Sequence, residues 1–368
     1  MSSGNAFKLN YLLAPLAPLY GLGASVRNLL FNWGILSSTE YQVPVISIGN
    51  LAVGGTGKTP HTEYLVRLLK DDYRVAVLSR GYKRSTKGFV LADENSTAQT
   101  IGDEAYQVKS KFPDLVVAVD GNRRRGIQNL LALPDGQKPE VILLDDAFQH
   151  RYVTPSLSIL LTDYNRLFYK DYLLPYGRLR EWSRGMHRAD GIVVTKCPDT
   201  LRPIDFRIIE SEMGLLPHQH LYFTRVEYGQ LRPVFPSSLN RRIDNFFDSD
   251  NEALLVAGIA SPELFIKEAE KRYCSVTPIL FPDHHVFEKQ DIRKISDAFA
   301  RLKGTEKFIL VTEKDAARLS NNPFVPEEWK EVLFYLPITI EFCTESVLPF
   351  DDWVKNHIIT FKRNNIFH

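Results

Sequence analysis

Short apolar runs alternate with helical or turn-rich segments along the first part of the chain. The run Val43–Ile48 carries β-branched residues and predicts a buried strand. A glycine-rich turn follows, and then a segment in which Leu65, Leu68 and Leu69 give a helix its apolar face. Such alternation predicts an α/β fold whose mostly parallel sheet is covered by helices on both faces. The other runs that read as buried strands are Arg74–Ser79, Leu115–Val119, Val141–Leu144, Leu157–Leu161 and Gly191–Thr195.

The pattern changes near residue 215, where several prolines and the extended run Leu221–Tyr228 indicate a linker. A second, smaller α/β pattern follows, and Glu331–Phe342 is extended again. We expect the two extended stretches to pair as a two-stranded linker between the domains. The predicted boundaries are 1–36 for an N-terminal helical segment, 37–220 for the first domain, 221–232 and 332–343 for the linker strands, 233–331 for the second domain, and 344–368 for a tail that returns to the first.

The N-terminal segment has an unusual polarity. Residues Leu9–Val26 form a stretch of 18 without a charge, which prolines and glycines interrupt. Leu19, Leu22, Val26, Leu29 and Trp33 then recur at helical spacing, as in an amphipathic helix. Two interpretations remain open at this point: the helix packs on the core, or it lies in a membrane interface without spanning the bilayer.

Charge and cysteine usage exclude some classes of protein. The net charge of +1 gives no overall attraction to nucleic acid, and the basic cluster at 123–125 is too short to indicate a nucleic-acid site. The three cysteines are scattered and have neither metal-site nor redox spacing, which is typical of reduced thiols in a cytoplasmic protein. We therefore expect no nucleic-acid partner, and no obligate protein partner is evident from the sequence.

The glycine-rich turn has the residues of a phosphate-binding loop. Strand, turn, Lys-Thr and helix occur in the required order, and Pro60 suits the first turn of the helix. In such a loop, backbone N–H groups face phosphate oxygens, the lysine reaches the β- and γ-phosphates, and the threonine holds Mg²⁺. A glycine-rich turn unrelated to nucleotide is the alternative. The predicted nucleotide-binding residues are Ala52, which replaces the first glycine of the motif, Val53, Gly54, Gly55, Thr56, Gly57, Lys58 and Thr59.

Polar residues follow several predicted strands, where ligands of parallel sheets bind. Asp145 and Asp146 end a hydrophobic strand, and they either orient Mg²⁺ or cap the following turn. Asp103 precedes a helical pattern, and as a residue taken alone it suits an N-cap. The turn at 175–181 combines one carboxylate with two guanidinium groups, which fits metal support and phosphate binding. His284 and His285 follow a strand of the second domain and point in different directions, so an acid–base or hydrogen-bonding role suits one of them better than a shared metal site.

The full set of motifs resembles the tetraacyldisaccharide 4'-kinase family, the lipid A 4'-kinases of Gram-negative bacteria. The resemblance runs from the N-terminal hydrophobic helix to about residue 315. It implies a P-loop kinase core with a smaller α/β domain, and transfer of phosphate from ATP, with Mg²⁺, to the 4'-hydroxyl of an acylated glucosamine disaccharide 1-phosphate. It also implies a peripheral enzyme at the cytoplasmic face of the inner membrane, so the membrane interpretation of the N-terminal helix gains weight. The motifs that carry the resemblance are GNLAVGGTGKTP, SRGY, GDE, LLDDAFQH, LPYGRLRE, FPDHH and VTEKD.

The resemblance also implies roles for individual residues. Asp103 matches the proposed general base, and His284 matches the histidine that orients it; a cleft between the domains would bring the two together. Asp145 and Asp146 match the metal-binding carboxylates. Arg180 and Glu181 match a pair for charge stabilisation and Mg²⁺ support. Ala105 and Ala147 stand where the family commonly has proline and glycine, which affects loop shape rather than the reacting groups.

Two other classes of function compete with a kinase. A nucleotide switch, either a GTPase or a partitioning-type ATPase, would share the phosphate loop. The segments 195–199 and 312–315 lack the spacing of a guanine-binding motif, and Val53 stands where a partitioning ATPase has lysine. A membrane-binding module without catalysis would use the N-terminal helix alone and would leave the polar strand ends unexplained.

Overall fold

The computed structural model describes residues 13–235, 251–273, 275–304, 306–343 and 348–366. Parts of three predicted segments lie outside these ranges: the start of the N-terminal segment, a stretch of the second domain, and both ends of the C-terminal tail. The chain divides into two compact units. The first runs through Val226 and resumes at Ile340, and the second comprises Glu227–Thr339. Both are α/β, so the predicted fold class with mostly parallel sheets is confirmed.

A nine-stranded sheet, in the order β14-β8-β7-β6-β1-β5-β2-β4-β3, organises the first unit. Its central strand β1 pairs in parallel with β5 and β6, while the short β3 is antiparallel to β4. The strands are β1 Val45–Asn50, β2 Val75–Ser79, β3 Val90–Leu91, β4 Val116–Val119, β5 Val141–Asp145, β6 Leu157–Asp163, β7 Gly191–Thr195, β8 His220–Tyr228 and β14 Ile338–Phe342. The helices are α1 Leu16–Asn32, α2 Lys58–Leu69, α3 Ala98–Ile101, α4 Asp103–Lys111, α5 Arg123–Leu131, α6 Pro203–Met213 and α10 Phe350–Ile366.

The central strand is buried along its whole length because helices cover both faces of the sheet. Successive residues of β1 belong to different core clusters: Val45 lies in one with Leu78 and Leu144, and Ile46 lies in another with Leu65 of α2. Because β1 and β5 are parallel neighbours, the residues that follow them lie at the same carboxyl edge of the sheet, where parallel α/β folds bind ligands.

The second unit holds a five-stranded sheet in the order β11-β10-β12-β13-β9. Three neighbouring pairs are parallel, and β9 is antiparallel to β13. The predicted linker segment 221–232 overlaps β8 and β9, and the predicted linker segment 332–343 contains β13 and β14. The elements of this unit are β9 Arg232–Pro233, β10 Asn251–Ala257, α7 Glu263–Arg272, β11 Ser275–Leu280, α8 Lys289–Ala300, β12 Glu306–Thr312, α9 Glu313–Leu319 and β13 Leu333–Leu336.

An ordinary surface helix buries its apolar face, whereas α1 exposes its apolar stripe. This contradicts the interpretation that the stripe packs on the core. Leu19, Leu22 and Trp33 of the stripe are 65%, 62% and 70% exposed. The polar face contacts the protein instead: Arg27 donates to the backbone oxygen of Gln149 at 2.9 Å. Among the described helices, none combines the length and the apolar character that crossing a bilayer requires.

Candidate functional site

The glycine-rich turn lies between β1 and α2, as the sequence predicts. Gly54 and Gly57 have φ angles of +116° and +83°, which glycine adopts without the strain that other residues meet. Gly57 caps α2, so Lys58 and Thr59 stand in the first helical turn. Among the described residues, the N–H groups of Gly55, Gly57 and Lys58 have no hydrogen-bond acceptor. Unpaired N–H groups at a helix N-terminus form a binding site for an anion such as phosphate.

The start of this loop pairs with the turn at 175–181, which lies far away in sequence. The N–H of Val53 donates to the oxygen of Arg178, and the N–H of Arg180 donates to the oxygen of Leu51, both at 2.8 Å. Ala52 and Leu179 form an antiparallel bridge between these bonds. The pairing fixes Arg180 beside the phosphate-binding loop.

Asp146 holds two cations at the site. Its carboxylate lies 3.6 Å from the Lys58 ammonium and 3.2 Å from the nearer Arg180 nitrogen. Burial opposes ionisation of Asp146, but Lys58 and Arg180 outweigh it and lower the pKa of this carboxyl. Asp146 therefore stays charged and keeps both cations in place.

The pKa of Asp145 is shifted in the opposite direction to that of Asp146. Asp145 is fully enclosed at the end of β5, and burial, with the charges of Glu104 and Asp146, raises its pKa to about 7. Lys58 and Arg123 oppose this increase without cancelling it. Two adjacent carboxylates that repel each other in this way suit a dication, which would favour the ionised form of both.

The raised pKa predicts a stabilising substitution. The unfolded chain loses the Asp145 proton near pH 3.8 and the folded protein near pH 7, so the free energy of unfolding falls as the pH rises between these values. Asp145→Asn is expected to raise the unfolding temperature by several degrees at pH 8 and by less at pH 5, without nucleotide or metal. Asp146→Asn, which leaves Lys58 and Arg180 without their carboxylate, is expected to lower it at pH 8. Thermal unfolding that places both variants on the same side of the wild type would contradict these assignments.

Two residues that act at this site, Arg123 and Glu104, are not predicted as site residues by the sequence. Arg123 is 2% exposed, and it donates to the backbone oxygen of Asp145 at 3.1 Å and to that of Asp120 at 2.7 Å. Burial lowers its pKa to about 10. The second is Glu104, whose charge acts on Asp145. Both residues follow polar turns at the carboxyl edge of the sheet. Their position in the sequence after such turns is the feature from which they could be predicted.

Asp103 is the first residue of α4, and the N-cap of this helix is Gly102, so the N-cap interpretation of Asp103 is wrong. Gly102 has a φ of +87°, and an added Cβ would lie 3.0 Å from the oxygen of Tyr82. Only glycine fits this combination of backbone conformation and close approach. The turn therefore sets Asp103 at the start of α4 beside Glu104.

Each carboxylate oxygen of Glu181 accepts a hydrogen bond from another side chain. Arg188 contacts one of its oxygens at 2.8 Å, and Asn28 of α1 donates to the other at 3.0 Å. Tyr20 of α1 donates to the oxygen of Arg180 at 3.1 Å, and an added Cβ at Gly21 would meet the side chain of Leu173 at 2.5 Å. Helix α1 is thus packed closely against the turn that carries Arg180 and Glu181.

His284 lies in the second unit with a φ of +58°, after β11. Its Nε2 is 3.3 Å from the Lys314 ammonium and 3.7 Å from an Asp283 oxygen, and its Nδ1 is 3.5 Å from an Arg318 nitrogen. His285 turns away and contacts Asp291 at 2.9 Å. The two histidines therefore have different partners, as the sequence predicts. In the part of the chain that the structure describes, no group of three or more His, Cys, Asp or Glu residues is placed to hold a metal ion.

Comparison with known proteins gives consistent results. A family model described as Tetraacyldisaccharide-1-P 4'-kinase matches residues 9–358. A tetraacyldisaccharide 4'-kinase of Parabacteroides distasonis is 55% identical over 365 residues, which cover 99% of each chain. Its counterpart in Bacteroides thetaiotaomicron is 50% identical over 365 residues, which cover 97% of this chain and 94% of the relative. A crystal structure described as the "apo" form of LpxK from Aquifex aeolicus in complex with ATP has a TM-score of 0.68 and 28% identity, covering 95% of this chain and 98% of that one.

Proposed function

This chain belongs to the tetraacyldisaccharide-1-P 4'-kinase family, and we propose that it transfers the γ-phosphoryl group of ATP to the 4'-hydroxyl of a tetraacylated glucosamine disaccharide 1-phosphate. One observation carries the proposal. Lys58 begins the helix after the glycine-rich loop and lies 3.6 Å from Asp146, at the end of the neighbouring strand β5. A P-loop kinase requires this pairing of a phosphate-binding lysine with metal-binding carboxylates.

We assign charge neutralisation to the loop, Lys58 and Arg180. The unpaired N–H groups of Gly55 and Gly57 bind phosphate oxygens, and Lys58 reaches the β- and γ-phosphates. Arg180 stabilises the charge that develops on the transferred group. Because Asp146 already holds the Lys58 ammonium and the Arg180 guanidinium, these side chains need to move little when the nucleotide binds.

We assign Asp103 as the general base that accepts the proton of the 4'-hydroxyl, with His284 as the residue that orients it. The close packing of Gly102 supports this role, because it fixes the start of α4 and hence Asp103. A positioned base speeds such a proton transfer by roughly 10²–10⁴-fold.

The residues present fit Mg²⁺. Thr59, Asp145 and Asp146 would hold it, and few protein ligands are needed because Mg²⁺ retains waters and binds substrate phosphates. When bound, Mg²⁺ neutralises charge on the β- and γ-phosphate oxygens. Both oxygens of Glu181 are engaged by Arg188 and Asn28. We therefore propose that Glu181 supports the metal indirectly, by holding the turn that carries Arg180.

A nucleotide switch is the alternative function, and the two differ in what they require. A kinase consumes ATP in proportion to the acceptor it phosphorylates, whereas a switch hydrolyses nucleotide without any lipid. ATP turnover measured with and without the acylated disaccharide 1-phosphate therefore tests the proposed function.

We also propose that the protein acts as a peripheral enzyme at the cytoplasmic face of the inner membrane, with α1 lying in the interface. The exposed apolar stripe of α1 supports this role, since an acylated acceptor is met at the bilayer surface. The polar face of α1 contacts Gln149 and Glu181, so the stripe is held outward by specific contacts. Docking through α1 would also bring the lipid acceptor close to the turn that carries Arg180.

This docking predicts the effect of charges on the stripe. Leu19→Glu/Leu22→Glu is expected to reduce liposome association about tenfold or more, because two side chains that enter the interface become charged. Activity on micellar lipid should fall with it. Co-sedimentation with liposomes measures the association, and high salt or mild detergent should release the wild type. Resistance to both treatments would indicate a transmembrane helix instead.

The matched control uses another helix of the same unit. Ile204 and Ile208 of α6 are 50% and 48% exposed, so Ile204→Glu/Ile208→Glu makes an equal change in polarity away from α1. This control should bind liposomes like the wild type. Equal losses in both double variants would show that general surface polarity, and not α1, determines the association.

A further inference from the structure

Two residues at the end of β7 bind carbonyl oxygens of the phosphate-binding loop. The hydroxyl of Thr195 donates to the oxygen of Thr56 at 3.0 Å, and the ammonium of Lys196 donates to the oxygen of Gly55. These bonds join positions that are 139 and 141 residues apart in the chain. The segment 195–199, which lacks the spacing of a guanine-binding motif, therefore contacts the loop with its first two residues.

His61 of α2 holds the next carbonyl of the loop in the same way. Burial lowers its pKa to about 4, so the ring is neutral at pH 7. The oxygen of Gly57 can only accept, so the ring proton lies on Nδ1, at 2.7 Å from that oxygen. Nε2 then accepts from the hydroxyl of Thr224 at 3.1 Å. Three successive carbonyls of the loop, at positions 55–57, are thus bound by side chains.

A bound carbonyl also fixes the N–H group of the following residue. The peptide bonds of the loop are trans and planar, so C=O and N–H point in opposite directions. The oxygen of Thr56 shares a peptide with the N–H of Gly57, and the oxygen of Gly57 shares one with the N–H of Lys58. Both N–H groups lack an acceptor in the described part of the chain. They point away from the side chains that bind the carbonyls, and so remain open to an anion.

Lys196 is itself held by a second partner. Its ammonium lies 2.7 Å from an oxygen of Asp163 at the end of β6, and the two side chains are only 13% and 16% exposed. One ammonium therefore donates to two acceptors that belong to different parts of the fold. Because hydrogen bonds from a charged donor are strong, this arrangement fixes the oxygen of Gly55 relative to the sheet.

We propose that Thr195 and Lys196 are positioning residues for the nucleotide, which act through the phosphate-binding loop. Thr195 orients the N–H of Gly57 toward the phosphates, and Lys196 fixes the turn before it. The inference rests on the proposed function, since it explains how the loop of that site is kept ready for ATP. A loop that already has its bound shape loses less conformational entropy when the nucleotide binds, so the affinity is higher.

The first test uses two variants of Thr195 that separate its hydroxyl from its shape. Calorimetric titration gives the Kd of ATP and of ADP, each with Mg²⁺ and without acceptor. Thr195→Val keeps the shape and loses the hydroxyl, and it is expected to bind both nucleotides about five- to tenfold more weakly. Thr195→Ser keeps the hydroxyl and should retain most of the affinity. A role in packing alone predicts the reverse order, because the loss of a buried methyl group would then be the larger defect.

The second test removes the charge of Lys196. Lys196→Met is expected to weaken ATP and ADP binding about tenfold or more, whereas Lys196→Arg, which keeps charged donors, should be affected less. The KM for ATP should rise with the Kd, and the KM for the lipid acceptor should stay near the wild-type value. Lys355→Met is the matched control, because it breaks an ion pair of 2.8 Å with Asp72, beyond the opposite end of α2. It should bind nucleotide like the wild type.

Three results would overturn the inference. The first is an unchanged Kd for both nucleotides in either Thr195→Val or Lys196→Met, with the fold intact by thermal unfolding. The second is weaker binding by Thr195→Ser than by Thr195→Val. The third is a loss in Lys196→Met for ATP and not for ADP, which would make Lys196 a direct ligand of the γ-phosphate. Failure of the proposed function has a different signature, because the wild type would then bind ATP and transfer no phosphate to the acceptor.

Discussion

Replacing Lys58 with alanine is expected to lower kcat by roughly 10³-fold or more, with the fold retained. The ammonium of Lys58 stands at the start of α2, where it is 10% exposed and 3.6 Å from Asp146. Its removal takes away a cation that neutralises the transferring phosphate, and such preorganised groups have large effects on rate. It also leaves Asp145 and Asp146 with less balancing charge, which disfavours their ionised forms. Steady-state turnover with saturating ATP and acceptor measures the loss.

Lys70→Ala is the matched control for this substitution. Lys70 follows the last turn of the same helix and pairs with Asp71 at the surface. It should retain near-wild-type kcat and a similar unfolding temperature, because exposed ion pairs contribute little to stability. Near-wild-type turnover in purified Lys58→Ala would show that the loop does not bind the nucleotide phosphates as proposed.

Asp103→Ala is expected to lower kcat by roughly 10²–10⁴-fold and to leave the KM for ATP nearly unchanged. The reason is that the base acts on the sugar hydroxyl and not on the nucleotide. His284→Ala should lower kcat less, since it removes only the orientation of the base. The double variant should lose little more than Asp103→Ala, because residues that act as one unit are not additive.

Two neighbouring residues serve as controls for this cycle. Asp114→Ala removes an exposed carboxylate beyond the end of α4, and His285→Ala removes the histidine that contacts Asp291 instead of Lys314. Both should have kcat values near that of the wild type. Losses at Asp103 and His284 that simply multiply would indicate independent roles. A change confined to the KM for lipid at either position would make that residue a substrate-binding group.

Much of the fold could be predicted from local sequence patterns. The buried strands are apolar runs, and Gly54, Gly57 and Lys58 sit in a short motif whose order fixes strand, loop and helix. Asp145 and Asp146 follow an apolar run in the same way. In each case the residues that determine the local structure lie within a few positions of one another. The hydrophobic period and the turn residues are therefore sufficient to predict that structure.

Contacts between distant parts of the chain could not be predicted in this way. Helix α1 has a clear apolar stripe, yet its direction depends on bonds such as Asn28 to Glu181, which are 153 positions apart. The pairing of Val53 with Arg178 and the effect of Glu104 on Asp145 are likewise tertiary. Periodicity identifies the faces of a helix, but it does not tell which face the rest of the protein contacts.

The central claim is the transfer of phosphate from ATP to the acceptor, and product analysis tests it most directly. The wild type, ATP labelled at the γ-phosphate, Mg²⁺ and the tetraacyldisaccharide 1-phosphate should give one labelled lipid for each ATP consumed. Phosphorus–proton correlation spectra of that lipid should place the new phosphate on the 4'-oxygen. Without acceptor, ATP consumption should fall to a small fraction of this rate, because water is a poor substitute for the bound hydroxyl. ATP hydrolysis that proceeds equally fast without acceptor and yields no labelled lipid would contradict the account.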